Sequence, residues 1–399
     1  MYFCTIILHF IMKRFLFLLL LFSVLYPIKA QEYENLQISL LTVEPRPNYI
    51  YTYFGHTALR LYDQTKNYDT VFNWGTFDFH KPNFILLFVK GETDYFLSTS
   101  DYRSFYYSYA TANSTITEQI LNIPEDQKAT LVALLQNNLQ SENLEYRYNF
   151  IFDNCTSRVR DIIETVCGGE LVYPEQKGET TFRKLIHECI ESHPWVEAGI
   201  DCVIGNGADS LVSLRNELWL PLKLKETLDN SYVIGEDGSK YPIVLSSQIV
   251  LESEDTIIEA SIKWPIITGL LLLALLTGIL IVAYYKRRRY RFVPAVLFFI
   301  AGIGGCIVAI TCFVSIHPCT WPNWNIIWLH PLHFVGFAGF FFKPTNRWIT
   351  WYHRLNCVLL TLFLLGWSFI PQSLNPAFIP FILCLALVSG FQILAYKKK

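Results

Sequence analysis

The sequence predicts an α+β domain exported from the cytoplasm, followed by an all-α bundle of five transmembrane helices. Three observations carry that expectation. Of the 399 residues, 52% are hydrophobic, and the apolar stretches gather at the two ends of the chain. Between them, short alternating runs rich in Tyr, Thr, Ile and Leu interleave with helical periodicities. Beyond residue 255, five apolar stretches follow, and their basic loops fall on one side.

In chain order, residues 1–30 read as a signal peptide. Met12-Lys13-Arg14 gives the charged start, Phe15 to Leu25 the apolar core and Ala30 the small residue at the cut. Met12 is an alternative start, because the preceding residues spoil an otherwise regular signal. Residues 31–255 are then the exported catalytic domain and 256–399 the membrane domain.

Leu36 to Val43 and Tyr49 to Tyr62 have strand character, with Pro45-Arg46-Pro47 as the break. Asp63 to Asn67 reads as a turn and Thr70 to Gly75 as the return strand. An antiparallel register centred near Thr65-Lys66 brings His56 close to Gly75 and Asn73. Pro82 to Val89 predicts a short amphipathic helix, and the aromatic stretch Asp94 to Tyr109 predicts core packing. Pro124 opens a helix that runs through Leu139.

Next comes the stretch with the clearest chemistry, Tyr148 to Asp161. Val159, Ile162, Ile163 and Val166 recur at the spacing of one helix face, and Gly168 follows as a stop, so Asn154 caps a helix whose first turn holds Cys155. A thiol there has a lowered pKa, and the thiolate is the nucleophile. The alternative is a buried structural cysteine. His56 is the candidate base and Asn73 its candidate orienting partner, with Asp78 and His80 as rivals for the latter role. His187 and His193 rank lower as bases, since neither opens a hairpin strand. Thr181 to Glu191 looks helical, and Asp201 and Asp209 read as caps of local structure.

The apolar spans are Trp264 to Tyr285, Phe292 to Ile316, Trp324 to Phe342, Leu355 to Ile370 and Pro376 to Tyr396. Lys286 to Arg289, Lys343 to Arg354 and Lys397 to Lys399 lie on one side, while Ile316 to Asn323 and Pro371 to Asn375 carry no Lys or Arg. The positive-inside rule makes the basic side and the C-terminus cytoplasmic, with the exported domain on the opposite side. His317, His330 and His333 are weak candidates for a headgroup or metal site, and Trp321, Trp324 and Trp328 suggest an interfacial belt.

The charge of -2, with no basic domain, argues against nucleic acid as a partner. No zinc-type Cys or His spacing occurs in the exported part, so no metal and no cofactor are expected. Cys306, Cys312, Cys357 and Cys384 fall in apolar spans. Cys155, Cys167, Cys189, Cys202 and Cys319 face the oxidising side, with Cys189 and Cys202 the nearest candidates for a bridge.

Four segments together resemble the Lnb family, Bacteroidota-type lipoprotein N-acyltransferases with a periplasmic domain and membrane helices. They are Tyr53-Phe54-Gly55-His56-Thr57-Ala58-Leu59-Arg60, Asn73-Trp74-Gly75-Thr76-Phe77-Asp78-Phe79, Asn154-Cys155-Thr156-Ser157-Arg158, and Trp195 to Gly205. The order of His before Cys is similar, more distantly, to circularly permuted NlpC-type papain-like folds, which include the lecithin:retinol acyltransferases. The resemblance implies ping-pong acyl transfer at the periplasmic face of the inner membrane. A phospholipid would be the acyl donor and a diacylated apolipoprotein the acceptor, with Cys155, His56 and Asn73 as catalytic residues. Two other readings are weighed: a cysteine peptidase or amidase acting on cell-wall peptides, and a non-catalytic membrane scaffold.

Overall fold

The computed structural model describes residues 33–46, 49–254, 262–288, 290–342 and 347–397. The expected signal peptide lies outside the described residues. Strand β1 (Gln37–Val43) leads through a 3-10 turn (Ile50–Phe54) into β2 (His56–Asp63) and β3 (Tyr68–Thr76). Helix α1 (Phe84–Lys90), strand β4 (Asp94–Asp101), α2 (Tyr102–Thr111), β5 (Ile116–Leu121), α3 (Glu125–Asn138), β6 (Glu145–Arg147) and α4 (Cys155–Val166) follow. After β7 (Gly169–Val172) come α5 (Phe182–Ile190), α6 (Pro194–Val203), α7 (Leu214–Glu217), α8 (Pro221–Asp229), β8 (Tyr232–Gly235), β9 (Lys240–Pro242) and β10 (Val244–Leu251).

Seven strands form one antiparallel sheet in the order β10-β5-β1-β2-β3-β4-β6, and β7, β8 and β9 form a small second sheet. Leu59 pairs with Phe72 and Asp63 with Tyr68, which is the register expected from a turn centred on Thr65-Lys66. The alternation of β1 and β2 buries Leu40 and Leu59 against Val159 and Ile163 of α4 and Leu131 and Leu135 of α3. Burying such side chains supplies the main drive for this packing, about 1.5–3 kcal/mol each. The helix carrying Cys155 is thereby laid across the strand carrying His56.

One expectation fails at the entrance to β2. Ile50 to Phe54 is a 3-10 turn rather than a strand, despite its aromatic and β-branched composition. Gly55 has φ of 76°, and a Cβ there would lie 2.5 Å from the Val43 carbonyl oxygen. Only glycine makes that close turn, so the strand starts at His56 rather than at Tyr49.

Helices α9 (Trp264–Lys286), α10 (Phe292–Phe313), α11 (His333–Gly339), α12 (Arg347–Leu365) and α13 (Phe378–Lys397) make up the C-terminal region. Among the described residues, α9 and α10 are long and apolar enough to cross a membrane on their own, and Phe378–Leu394 is a shorter apolar helix. The stretch Trp324 to Phe342 is not one helix. It breaks into a 3-10 turn (Trp324–Ile327) and the short α11, because Asn323 and Asn325 turn their amides outward to carbonyls of α6.

Those contacts join the two regions. Asn325 Nδ2 donates to the Asp201 carbonyl at 2.8 Å, Asn323 Nδ2 to the Cys202 carbonyl at 2.8 Å, and Gly205 N to the Cys319 carbonyl at 2.6 Å. Ala198 of α6 is buried in the same apolar cluster as Leu276, Phe298 and Leu385 of the helical region.

Candidate active site

Asn154 caps α4 as the sequence predicts. Its Oδ1 accepts from Thr156 N at 2.9 Å and Ser157 N at 2.8 Å, while Ser157 Oγ accepts from Asn154 N at 2.8 Å. This reciprocal capping box satisfies the free amides of the first turn. The Asn154 amide also donates to the carbonyls of Phe150 and Trp219, at 2.9 and 3.0 Å, which ties the start of the helix to the preceding loop and to the start of α8. Cys155 is therefore held half-buried at a helix N-terminus.

The Cys155 thiol and the His56 ring interact electrostatically. Burial works against ionisation, but the adjacent imidazole, its hydrogen bond, the Thr57 backbone N–H and the Thr156 hydroxyl together hold the Cys155 pKa below the ordinary thiol value. His56 moves the opposite way. Burial works against its charge, yet the facing thiolate and the Asn73 side chain raise its pKa above the ordinary imidazole value. The two shifts favour a thiolate and imidazolium facing one another.

Asn73 Oδ1 lies 3.2 Å from His56 Nε2, so an Nε2–H donates to the amide oxygen and Nδ1 is left for the thiol. Asp78 and His80 do not compete for this place. They are exposed, and the Asp78 carboxylate accepts from the His80 backbone amide at 2.8 Å in a local turn. Tyr109 lies against the His56 ring, with centroids 6.4 Å apart and planes 22° from parallel.

The cysteines differ sharply in reactivity. Burial pushes the Cys189 and Cys202 thiols up to about 12 and Cys319 up to about 11, whereas Cys155 is lowered. All cysteines among the described residues are free, so the expected Cys189–Cys202 bridge is absent. Cys189 instead packs beside the buried cluster of Phe182, Leu185 and Ile186.

The N-terminal periplasmic domain of the Lnb family matches residues 26–188, and the Lnb transmembrane domain matches residues 257–399. The chain belongs to the Lnb family. It is accordingly a member of an acyltransferase family that N-acylates lipoproteins, a membrane protein with a periplasmic domain. No curated protein and no solved structure gives a significant match. The periplasmic match includes His56, Asn73 and Cys155, while Trp195 to Gly205 lies between the two matched regions.

The remaining candidates have other roles in this Lnb chain. His187 Nε2 lies 3.0 Å from Asp201 Oδ1, and the same oxygen takes Arg183 Nη1 at 2.6 Å. Asp201 Oδ2 accepts from Asn375 at 2.9 Å, and Asp209 pairs with Arg183 at 2.8 Å. Asp201 and Asp209 are thus members of a buried charge network rather than caps, because Arg183, only 4% exposed, must be neutralised. The ligand atoms of His187, Glu197 and Asp201 lie within 4.8 Å of one another. With the Arg183 guanidinium on the shared oxygen, the set is a clamp rather than a cation site.

His193 packs edge-on against Tyr53, with centroids 4.6 Å apart, and its Nδ1 is hydrogen-bonded to Ser192 Oγ at 2.8 Å. His333 bonds the Tyr352 hydroxyl at 2.8 Å and the Trp328 carbonyl at 2.9 Å, using both ring nitrogens for packing. Trp328 is only 5% exposed, so it belongs to the helical core and not to an interfacial belt.

Four residues near the thiol escape a sequence reading. Thr57 and Thr156 meet across the strand and helix, their hydroxyl oxygens 3.0 Å apart and buried. Tyr146 and Tyr148 are phenols kept neutral, first by burial and then by the thiolate's charge. The Tyr146 hydroxyl is buried. The only signal for the tyrosines is the alternation Tyr146-Arg147-Tyr148 shortly before Asn154, which any edge strand could show.

Proposed function

We propose that this chain is an apolipoprotein N-acyltransferase that works by a Cys155 thioester. His56 takes the Cys155 proton, and the thiolate attacks an ester carbonyl of a membrane phospholipid. The C–O bond breaks, the lysophospholipid alkoxide leaves with the proton from His56, and the acyl chain stays on sulfur. The α-amine of the S-diacylglyceryl cysteine of an apolipoprotein then attacks the thioester. The C–S bond breaks, the amide forms and the thiol is restored. Thioester to amide runs downhill, so no nucleotide is needed.

In this reading Asn73 orients the imidazole, and the Cys155 backbone N–H at the open end of α4 steadies the oxyanion. The observation that carries it is the pairing of Cys155 with His56 on packed elements, the thiol lowered and the imidazole raised. Family membership adds the acyl chemistry. A helix bearing the nucleophile, packed on a sheet that bears the base earlier in the chain, also fits a permuted NlpC or papain-like arrangement.

We further infer that residues 1–30 are a signal peptide, 31–255 the catalytic domain and 256–399 a domain crossing the inner membrane five times with a cytoplasmic C-terminus. The support is the distribution of Lys and Arg between the loops. Anchoring places both lipid substrates and the thiol at one surface, which raises their effective concentration.

Intact-mass analysis of the purified full-length protein incubated with phospholipid vesicles tests the first half-reaction. One fatty-acyl adduct is expected, located on Cys155, absent from Cys155→Ser and strongly reduced in His56→Ala. An unmodified wild-type protein, or an adduct that survives Cys155→Ser, overturns the mechanism. Unchanged triacylated lipoprotein termini in a deletion strain would remove the transferase assignment.

A further inference from the structure

Helix α1 presents an unusual surface for a periplasmic domain. Ile85 is 78% exposed, Leu86 52% and Phe88 44%, and the nearby Phe79 is 60% exposed. Of this helix only Phe84 is buried, with Leu87 and Val89 half-buried. Such a cluster on a short helix has no reason to face water.

The seating of α1 indicates what covers it. Ile316 N donates to the Lys90 carbonyl at 2.8 Å, and His317 Nε2–H donates to the Phe88 carbonyl at 2.6 Å. Burial lowers the His317 pKa, so the ring stays neutral and serves as a plain donor. Gly91, which ends α1, packs against Ile316 and His317. These two residues follow directly on α10, one of the two helices that can cross a membrane alone. The end of α10 and its exit carry exposed Phe313, Val314 and Ile316. The apolar face of α1 therefore continues the lipid-facing surface of a membrane helix.

Behind that face an aromatic row leads inward. Phe88 stacks on Phe84 at 6.3 Å, Phe84 on Phe77 at 5.6 Å, Phe77 packs on Tyr95 at 5.0 Å, and Tyr95 stacks on Tyr148 at 4.0 Å. Tyr148 lies within the electrostatic reach of Cys155. The row joins the exposed helix to the nucleophile.

We propose that α1 is a membrane-inserted element of the catalytic domain, its Ile85, Leu86 and Phe88 face seated among the acyl chains of the outer leaflet. The packed aromatic row then fixes the inserted helix relative to Cys155, holding the nucleophile near the depth of a donor ester. This second role rests on the phospholipid donor proposed above; the insertion itself does not. Insertion of a short apolar helix face beside a transmembrane anchor fits the energetics of interfacial helices, since the anchor already bears the cost of localisation.

The test uses the full-length Cys155→Ser protein in vesicles of phosphatidylethanolamine and phosphatidylglycerol. A photoreactive benzophenone side chain is placed at Leu86 and, separately, at Ile85. The control position is Tyr68, 38% exposed at the far end of β3, roughly 27 Å from Thr76 at strand geometry. Phospholipid adducts several-fold more abundant at Leu86 and Ile85 than at Tyr68 are expected. Equal yields at the three positions overturn the proposal. Cross-linking at Leu86, with a wild-type Cys155 that never carries acyl chain, leaves insertion standing and removes the transfer reading. Acylation of wild-type Cys155 without cross-linking at Leu86 or Ile85 does the reverse.

Discussion

The hydroxyl oxygens of Thr57 and Thr156 lie 3.0 Å apart, both buried, one residue after His56 and one residue after Cys155. This contact fixes the strand that bears His56 against the helix that bears Cys155. The Thr156 hydroxyl also lies 3.7 Å from the Cys155 sulfur. Thr156→Val keeps the shape of the side chain and strands the Thr57 hydroxyl, which costs about 1–3 kcal/mol of stability. Denaturant unfolding is expected to show a loss in that range, and stopped-time mass analysis a slower acylation of Cys155. A variant of wild-type stability and wild-type acylation rate would show that the contact is incidental.

Asn73 acts on the site through the ring it holds. Its hydrogen bond is one of the causes that raise the His56 pKa, so Asn73→Ala lets that value fall while Cys155 stays in place. The reactive pair exists between the lowered thiol pKa and the raised imidazole pKa. Below that window the thiol is protonated; above it the imidazolium is lost. Removing Asn73 is therefore expected to draw in the alkaline limb of the acylation profile and to cut the rate by roughly 10²-fold, the scale of a positioned general base. A uniform loss of rate at every pH would indicate a structural role alone.

The Arg183, Asp201 and His187 cluster couples the regions through a titrating group. Burial opposes the charge on His187, but the Asp201 hydrogen bond and carboxylate raise its pKa above the ordinary value of 6.5. For a raised pKa the stabilisation is complete below the unfolded value and is lost as pH rises through the folded one. Thermal stability is thus expected to decline upward from about pH 6.5, and His187→Gln to flatten that slope. Asp201→Asn should cost more at every pH, since it leaves Arg183 buried with Asp209 as its one remaining anion. A wild-type melting profile that is flat across this range would exclude the linkage.

Much of the site was legible because its signals are local. The cap at Asn154 follows from the helix-face spacing of Val159, Ile162, Ile163 and Val166 just downstream, and the meeting of His56 with Asn73 follows from a turn centre and strand alternation. The failures share a different cause. Tyr49 to Phe54 has strand composition, but the conformation is set by one glycine pressed on the Val43 carbonyl. Trp324 to Phe342 has the hydropathy of a span, but Asn323 and Asn325 are committed to α6, more than a hundred residues earlier. Asp201 looks like a helix-end residue until Arg183 is brought beside it. Partners supplied by another element leave no periodic trace in either segment.

Gly205 carries a close backbone approach between the two regions. A Cβ there would meet the Pro322 carbonyl oxygen at 2.2 Å, backbone that cannot swing aside. Gly205→Ala is therefore expected to force α6 off the Thr320 to Pro322 loop, with a penalty of roughly 1–3 kcal/mol or more for overpacking. Gly199, within α6, has open space where a Cβ would stand, so Gly199→Ala should instead stabilise the helix by roughly 0.5–1 kcal/mol. Opposite shifts in the thermal unfolding of the two variants, with new protease cleavage between α5 and α8 only in Gly205→Ala, would show that the periplasmic domain is held on its membrane anchor by backbone contact at this glycine. Equal behaviour of the two alanines would mean that the regions separate freely, and the positioning of Cys155 over the bilayer would then have to come from α1 and the His317 contact alone.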